Sequence, residues 1–147
     1  MTRRNLLDVN VLIALTSIEH SQYRAAQQWF DSLVNEEWGL CPLTEAGYVR
    51  VVTNPASGPI VQTFAQAAAI LKDLSQRPGY HYWPVGGSWA DLTAPFADRI
   101  FGHQQVTDAY LLGLAIKEKG VLVTFDRGIL HLAGPEFSKN LMVLASR

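Results

Sequence analysis

The chain has 147 residues, 48% of them hydrophobic, which suits one domain (residues 1–147) with a proper core. Twelve basic against thirteen acidic residues leave a net charge of −1, which excludes a polycationic nucleic-acid coat but permits a local basic rim. A lone cysteine, Cys41, excludes an internal disulfide and suits a reducing compartment.

Arg3-Arg4 and the apolar residues after it resemble the start of a signal peptide. Asp8 and Asn10 interrupt that run, and no small-residue cleavage site follows before Glu19-His20. No apolar run is long enough to cross a bilayer. A soluble, cytoplasmic protein without membrane association is expected.

The run Asn5-Leu6-Leu7 reads as a buried strand with Asp8 at its end, where the chain turns and water reaches the carboxylate. A first helix is expected over residues 11–17, with Asn10 as its N-cap. Ser21 is placed to cap a second helix, in which Tyr23, Ala26, Trp29, Phe30 and Leu33 recur at helical spacing. Residues 38–42 read as a second strand ending at Pro42, and Thr44 opens a third helix that stops near Asn54-Pro55.

After a polar loop to Pro59, residues 60–76 have the pattern of an amphipathic helix with Phe64, Ala68, Leu71 and Leu74 on one face, suited to the core or to a dimer contact. Residues 80–84 read as a third strand, and 89–99 as a short helix despite Pro95. A long helix spans about 104–119 and ends at Gly120. Val121-Leu122-Val123-Thr124-Phe125 is the strongest strand signal in the chain, followed directly by Asp126, and residues 141–144 close the set. Strands alternating with helices predict a mostly parallel sheet covered by helices, with a site beyond the carboxyl ends of its strands.

Four carboxylates have local settings that suggest chemistry: Asp8, Glu45, Asp108 and Asp126. Acids sharing one crevice repel one another unless some protonate or a cation neutralises them. Without a Cys/His cluster, hard oxygen donors favour Mg²⁺ or Mn²⁺ over zinc. A carboxylate-held divalent ion beside an open face suits phosphodiester hydrolysis by activated water. Asn10, Thr44, Thr107 and Thr124 stand beside these acids and are candidates to orient carboxylates or water.

Each acid also has a structural explanation. Asp8 or Asn10 could cap a helix, and Asp108 suits a helix start. Asp126-Arg127-Gly128 is an ordinary turn, and Glu45 could be a solvated helix residue. Singly, each favours that explanation; together in an alternating fold they favour a site. The four histidines share no ligand spacing and read as surface or satisfied residues. Cys41 reads as a small core residue, and Arg50, Arg99 and Arg127 as solvated charge.

The segments Leu7-Asp8-Val9-Asn10-Val11-Leu12-Ile13, Leu43-Thr44-Glu45, Gln105-Val106-Thr107-Asp108-Ala109-Tyr110-Leu111 and Thr124-Phe125-Asp126-Arg127-Gly128 resemble, in order, the motifs of PIN-domain ribonucleases of the VapC toxin type. The resemblance runs from about Leu6 to Leu144. It implies a three-layer α/β/α sandwich with a central, mostly parallel sheet and Mg²⁺- or Mn²⁺-dependent endoribonuclease activity on structured RNA, tRNA or rRNA. It further implies catalytic and metal-binding roles for Asp8, Glu45, Asp108 and Asp126, homodimerisation, and inhibition by a cognate antitoxin. Gly128 stands where many relatives carry another acid, which bears on a second metal site. Two rivals are an Asp8-based phosphatase or phosphoacceptor and a non-catalytic PIN-like module for dimerisation or partner binding. A phosphatase of the haloacid-dehalogenase type would want a second aspartate where Asn10 stands, and neither phosphoryl chemistry calls for Glu45.

Overall fold

The computed structural model describes residues 2–84 and 86–145. Its centre is a four-stranded, wholly parallel sheet in the order β2-β1-β3-β4, made by β1 (Arg4–Leu7), β2 (Glu37–Gly39), β3 (Val121–Thr124) and β4 (Leu141–Val143). In register, Leu6 pairs with Leu122 and Leu7 with Val123. Because side chains alternate along a strand, Leu6 and Leu122 face one helical layer while Leu7, Val121 and Val123 face the other. All five are buried. Full burial of an aliphatic side chain contributes about 1.5–3 kcal/mol, so apolar residues on both faces hold helices on both faces.

One face carries α1 (Val9–Thr16), α2 (Tyr23–Asp31), α3 (Pro42–Val52) and α4 (Phe64–Leu74), packed through Val11, Leu12, Tyr48, Ala67 and Leu74. The other carries α5 (Trp89–Thr93), α6 (Val106–Lys117) and α7 (Ile129–Ala133), packed through Leu92, Leu111, Leu112, Ile129 and Leu132. The helix-covered parallel sheet expected from the alternation, and the α/β/α sandwich that the resemblance implied, are the fold observed. No helix among the described residues is long and apolar enough to cross a membrane.

Several boundaries depart from the sequence expectations. The first helix begins at Val9, because Asp8 is the N-cap and its Oδ1 accepts the Val9 N–H at 2.8 Å. Asn10 is therefore inside the helix, not its cap. Likewise α2 has Gln22, not Ser21, at its N-cap, and His20 Nδ1 accepts the Gln22 N–H. The second strand ends at Gly39, since Cys41 caps α3 and Pro42 occupies its first position. Thr44 stands one turn inside α3, where its hydroxyl accepts the Cys41 N–H at 2.9 Å.

Residues 80–84 make only one bridge, Tyr80 with Trp38. The segment still runs beside β2, with the His81 and Trp83 N–H groups donating to the Trp38 and Leu40 carbonyls at 2.8 Å. Gly39 permits this approach, because a Cβ there would run into the His81 carbonyl. Residues 89–99 divide at Ala94 into α5 and a 3₁₀ segment, Ala94–Arg99, containing Pro95. The helix expected over 60–76 starts at Phe64, where Thr63 and Gln66 form a capping box. Its buried residues are Ala67 and Leu74, whereas Phe64 is 74% exposed. The long helix starts at Val106 after a 3₁₀ turn, His103–Gln105, and ends at Lys117. Lys119 takes the left-handed conformation that the sequence suggested for Gly120, with φ 56°. Gly120 is needed for space, since a Cβ would lie 2.6 Å from the Trp83 ring.

Candidate active site

In the strand order β2-β1-β3-β4, connections leave the β1/β3 pair in opposite directions, which opens a crevice beyond the carboxyl ends of those two strands. Asp8 follows β1 directly, and its N–H donates to the Val123 carbonyl at 2.9 Å, continuing the ladder by one bond. Thr124 ends β3 in full burial. Its hydroxyl donates to Asp8 Oδ2 at 2.7 Å and accepts N–H bonds from Asp126 (3.0 Å) and the Asn10 side-chain amide (3.2 Å). Asn10 Oδ1 in turn accepts the Phe125 N–H at 3.2 Å. Asn10 thus ties α1 to the end of β3 and positions the strand that carries Asp126.

Burial pushes the Asp8 carboxyl above its ordinary value; the Thr124 hydroxyl and Val9 N–H hold it down in part, and the Asp126 charge adds to the rise. Asp108, in the first turn of α6, is pushed up to about 7, first by burial and then by the charges of Asp8 and Asp126. Three aspartates separated in sequence therefore share one electrostatic environment. Asp126 is exposed and its Oδ1 accepts the Gly128 N–H at 2.8 Å, so the turn anticipated at Asp126-Arg127-Gly128 is also present.

The remaining candidates are placed differently. Glu45 is one turn into α3, raised by burial, and its charge acts on Tyr80 and Tyr82, whereas it is not among the causes of the shifts of Asp8 or Asp108. Burial, then Glu45, pushes the Tyr80 phenol to about 12. Thr44 is turned into its own helix end, and Thr107 is exposed next to Asp108. Cys41 is buried. Arg99 is not free surface charge: Nη1 donates to the Leu132 and Ala133 carbonyls at 3.0 Å, closing the end of α7. Tyr80 and Tyr82 were missed as neighbours of Glu45; the only sequence signal was their aromatic spacing next to an expected strand.

Among the described residues, no three His, Cys, Asp or Glu side chains are grouped closely enough to hold a metal ion together. The donor chemistry nevertheless fits a hard divalent cation. Oxygen donors predominate, and the shared negative charge that raises Asp108 is relieved by an added positive one.

The PIN domain family profile matches residues 6–135, and the chain belongs to the PIN-domain family. Within that family it is similar to proteins named Ribonuclease VapC. It is 40% identical over 128 residues to Ribonuclease VapC39 of Mycobacterium tuberculosis, covering 87% of this chain and 92% of the relative. It is 41% identical to Ribonuclease VapC38 of the same organism, covering 87% and 89%. In shape it matches VapBC2 of Rickettsia felis, solved bound to a promoter DNA fragment, with a TM-score of 0.65, 13% identity and coverage of 97% and 99%. A toxin–antitoxin complex from Klebsiella pneumoniae matches with a TM-score of 0.63, 16% identity and coverage of 95% and 96%.

Proposed function

We propose that this chain is the ribonuclease toxin of a type II toxin–antitoxin pair, an Mg²⁺- or Mn²⁺-dependent endoribonuclease that hydrolyses phosphodiester bonds in structured RNA such as tRNA or rRNA. The observation that carries the chemistry is the crevice at the β1/β3 ends, where Asp8, Asp108 and Asp126 share one field. The ribonuclease assignment is supported by the relatives named Ribonuclease VapC, and the toxin assignment by the likeness to a toxin–antitoxin complex.

Asp8, Asp108 and Asp126, with Glu45 from α3, would hold the ion after side-chain adjustments that bring them together, since among the described residues no three such side chains are grouped to hold it as they stand. When bound, the ion supplies a Lewis acid for the phosphate and an acidified water. The chain supplies the frame. Thr124 and Val9 fix the two Asp8 oxygens, and Asn10 and Thr124 fix the backbone that presents Asp126. Thr44 sets the start of α3 below Glu45, and Thr107 stands at the mouth beside Asp108. The toxin works as a homodimer and is silenced by a cognate antitoxin that covers this crevice. An Asp8 phosphoacceptor is disfavoured, because Asp8 is only 7% exposed and both its oxygens already accept hydrogen bonds.

Cleavage of total RNA by the purified protein tests this directly. Mg²⁺ or Mn²⁺ should support it and EDTA should abolish it. Asp8→Asn and Asp108→Asn should each lower the rate by on the order of 100-fold or more, beyond the roughly 10- to 100-fold typical of outer-shell groups. Full activity of either variant would remove its aspartate from the site.

A further inference from the structure

Beside the acidic crevice, a cavity of about 410 Å³ opens between the starts of α3, α5 and α6. Its walls include Pro42, Leu43, Trp89, Val106, Thr107 and Tyr110. Leu43, Trp89 and Val106 remain 39%, 40% and 45% exposed at its mouth, unusual for three neighbouring large apolar residues. We propose that this cavity receives one unstacked base of the RNA substrate, the base next to the phosphate under attack, with Trp89 as its stacking wall. The inference rests on the ribonuclease function proposed above and adds the element of substrate it selects.

Position comes first. Thr107 lines the cavity and Asp108 is the next residue of α6. Pro42 and Leu43 line it from the first turn of α3, the helix that carries Glu45. An occupant therefore sits against both helices that bring acids to the site. Shape comes second. A half-open cavity near the lower end of the roughly 300–1,000 Å³ range of small-molecule sites has room for a single flat heterocycle. A partner helix would need an elongated groove.

The walls are also held in place before anything binds. The Trp89 indole N–H donates to the Val106 carbonyl at 3.0 Å, and the Tyr110 hydroxyl reaches the Gly87 carbonyl at 3.4 Å. Fixed rings lose little freedom on binding. Thr107, exposed and in the cavity wall, offers a hydroxyl for a polar base edge. Charge points the same way. With a net charge of −1 the chain has little general attraction for phosphate, so base contacts must supply much of the affinity.

The test is binding of a hexauridylate and a hexaadenylate, each compared with an abasic ribose-phosphate hexamer, in EDTA by anisotropy. The wild type should bind at least one base-bearing hexamer about tenfold or more tighter than the abasic one. Trp89→Leu, which keeps apolar bulk without a ring, should lose about tenfold for the base-bearing RNA and nothing for the abasic one; Trp89→Phe should restore most of the loss. Equal losses on both hexamers, or none, overturn the proposal. So does a Trp89→Leu protein that binds RNA normally yet escapes its antitoxin, which would give the cavity to the protein partner. If the wild type cleaves RNA but ignores the base, only this inference fails; if it neither binds nor cleaves RNA, the ribonuclease function fails with it.

Discussion

Replacing Asp108 by Asn should stabilise the metal-free protein at pH 8 while removing its activity. Asp108 is pushed from 3.8 up to about 7 by burial and by the charges of Asp8 and Asp126. Three units correspond to about 4 kcal/mol against the ionised form. The residue is only partly buried, and solvent screening roughly halves that figure. Its place in the first turn of α6 returns about 0.3–1 kcal/mol through the helix dipole. About 1–2 kcal/mol remains. The sign follows from proton binding: a carboxyl whose folded pKa lies above its unfolded value holds more protons in the folded state, so stability falls as pH rises from about 4 through about 7. The penalty is fully present at pH 8 and absent only below about pH 3, under the unfolded value of 3.8. Asn, neutral throughout, should therefore raise the melting temperature by roughly 3–6 °C at pH 8 in EDTA. At pH 5, a little over a third of the way from 3.8 to about 7, the gain should fall to below half. Thermal melts of both proteins at the two pH values decide it. A variant that melts lower than wild type at pH 8, or that gains equally at pH 5, would refute the electrostatic account.

Thr124→Val removes the donor to Asp8 and the acceptor for Asp126 and Asn10 at nearly constant volume; it should cost about 1–3 kcal/mol in urea unfolding and lower cleavage, with Thr124→Ser recovering much of both. Lys119→Gly should gain about 1 kcal/mol, because Lys119 is held at φ 56° where glycine has no steric penalty. Gly120→Ala should lose about 1–3 kcal/mol, since its Cβ would meet Trp83 at 2.6 Å and the Arg4 carbonyl at 2.8 Å. Arg99→Ala should cost about 1–3 kcal/mol by leaving two α7 carbonyls without their charged donor, read as a shift in denaturant midpoint with the slope unchanged.

The layers were legible because the strands carry apolar residues on both faces, and Leu6-Leu7 and Leu122-Val123 can only be buried between helices. Asp8 was legible as a charge just beyond β1, but the expectation that water would reach it did not hold: it is 7% exposed and is satisfied by Val9 and Thr124 instead. What could not be read depended on partners remote in sequence. Asn10 looked like a cap because Thr124 and Phe125, which its amide bridges, are over a hundred residues away. Phe64 and Ala68, placed on one face with Leu71 and Leu74, are exposed within the chain, because periodicity marks a face without saying how much of it the chain's own core covers. The five residues of α7 are too few to show a period, and they follow a turn sequence. The apolar cavity needs α3, α5 and α6 together, so Trp89 carried no signal in isolation.

Hydrogen-bond capacity separates the roles of the two most perturbed aspartates. A threonine hydroxyl has one proton to give and two lone pairs to receive with. At Thr124 both lone pairs face N–H donors, from Asp126 and Asn10, so its proton must go to Asp8 Oδ2. Asp8 Oδ1 takes the Val9 N–H. Both oxygens of Asp8 thus meet donors, which offset part of the rise that burial causes. Asp108 has burial and two negative neighbours acting on it and no donor among the causes of its shift. One carboxyl is built into the frame by donors on both its oxygens, and the other, without such donors, is pushed up to about 7. Below about pH 7 a proton on Asp108 competes with any cation for the same oxygens, so binding and cleavage should both weaken with acid through that carboxyl while Asp8 remains held in place.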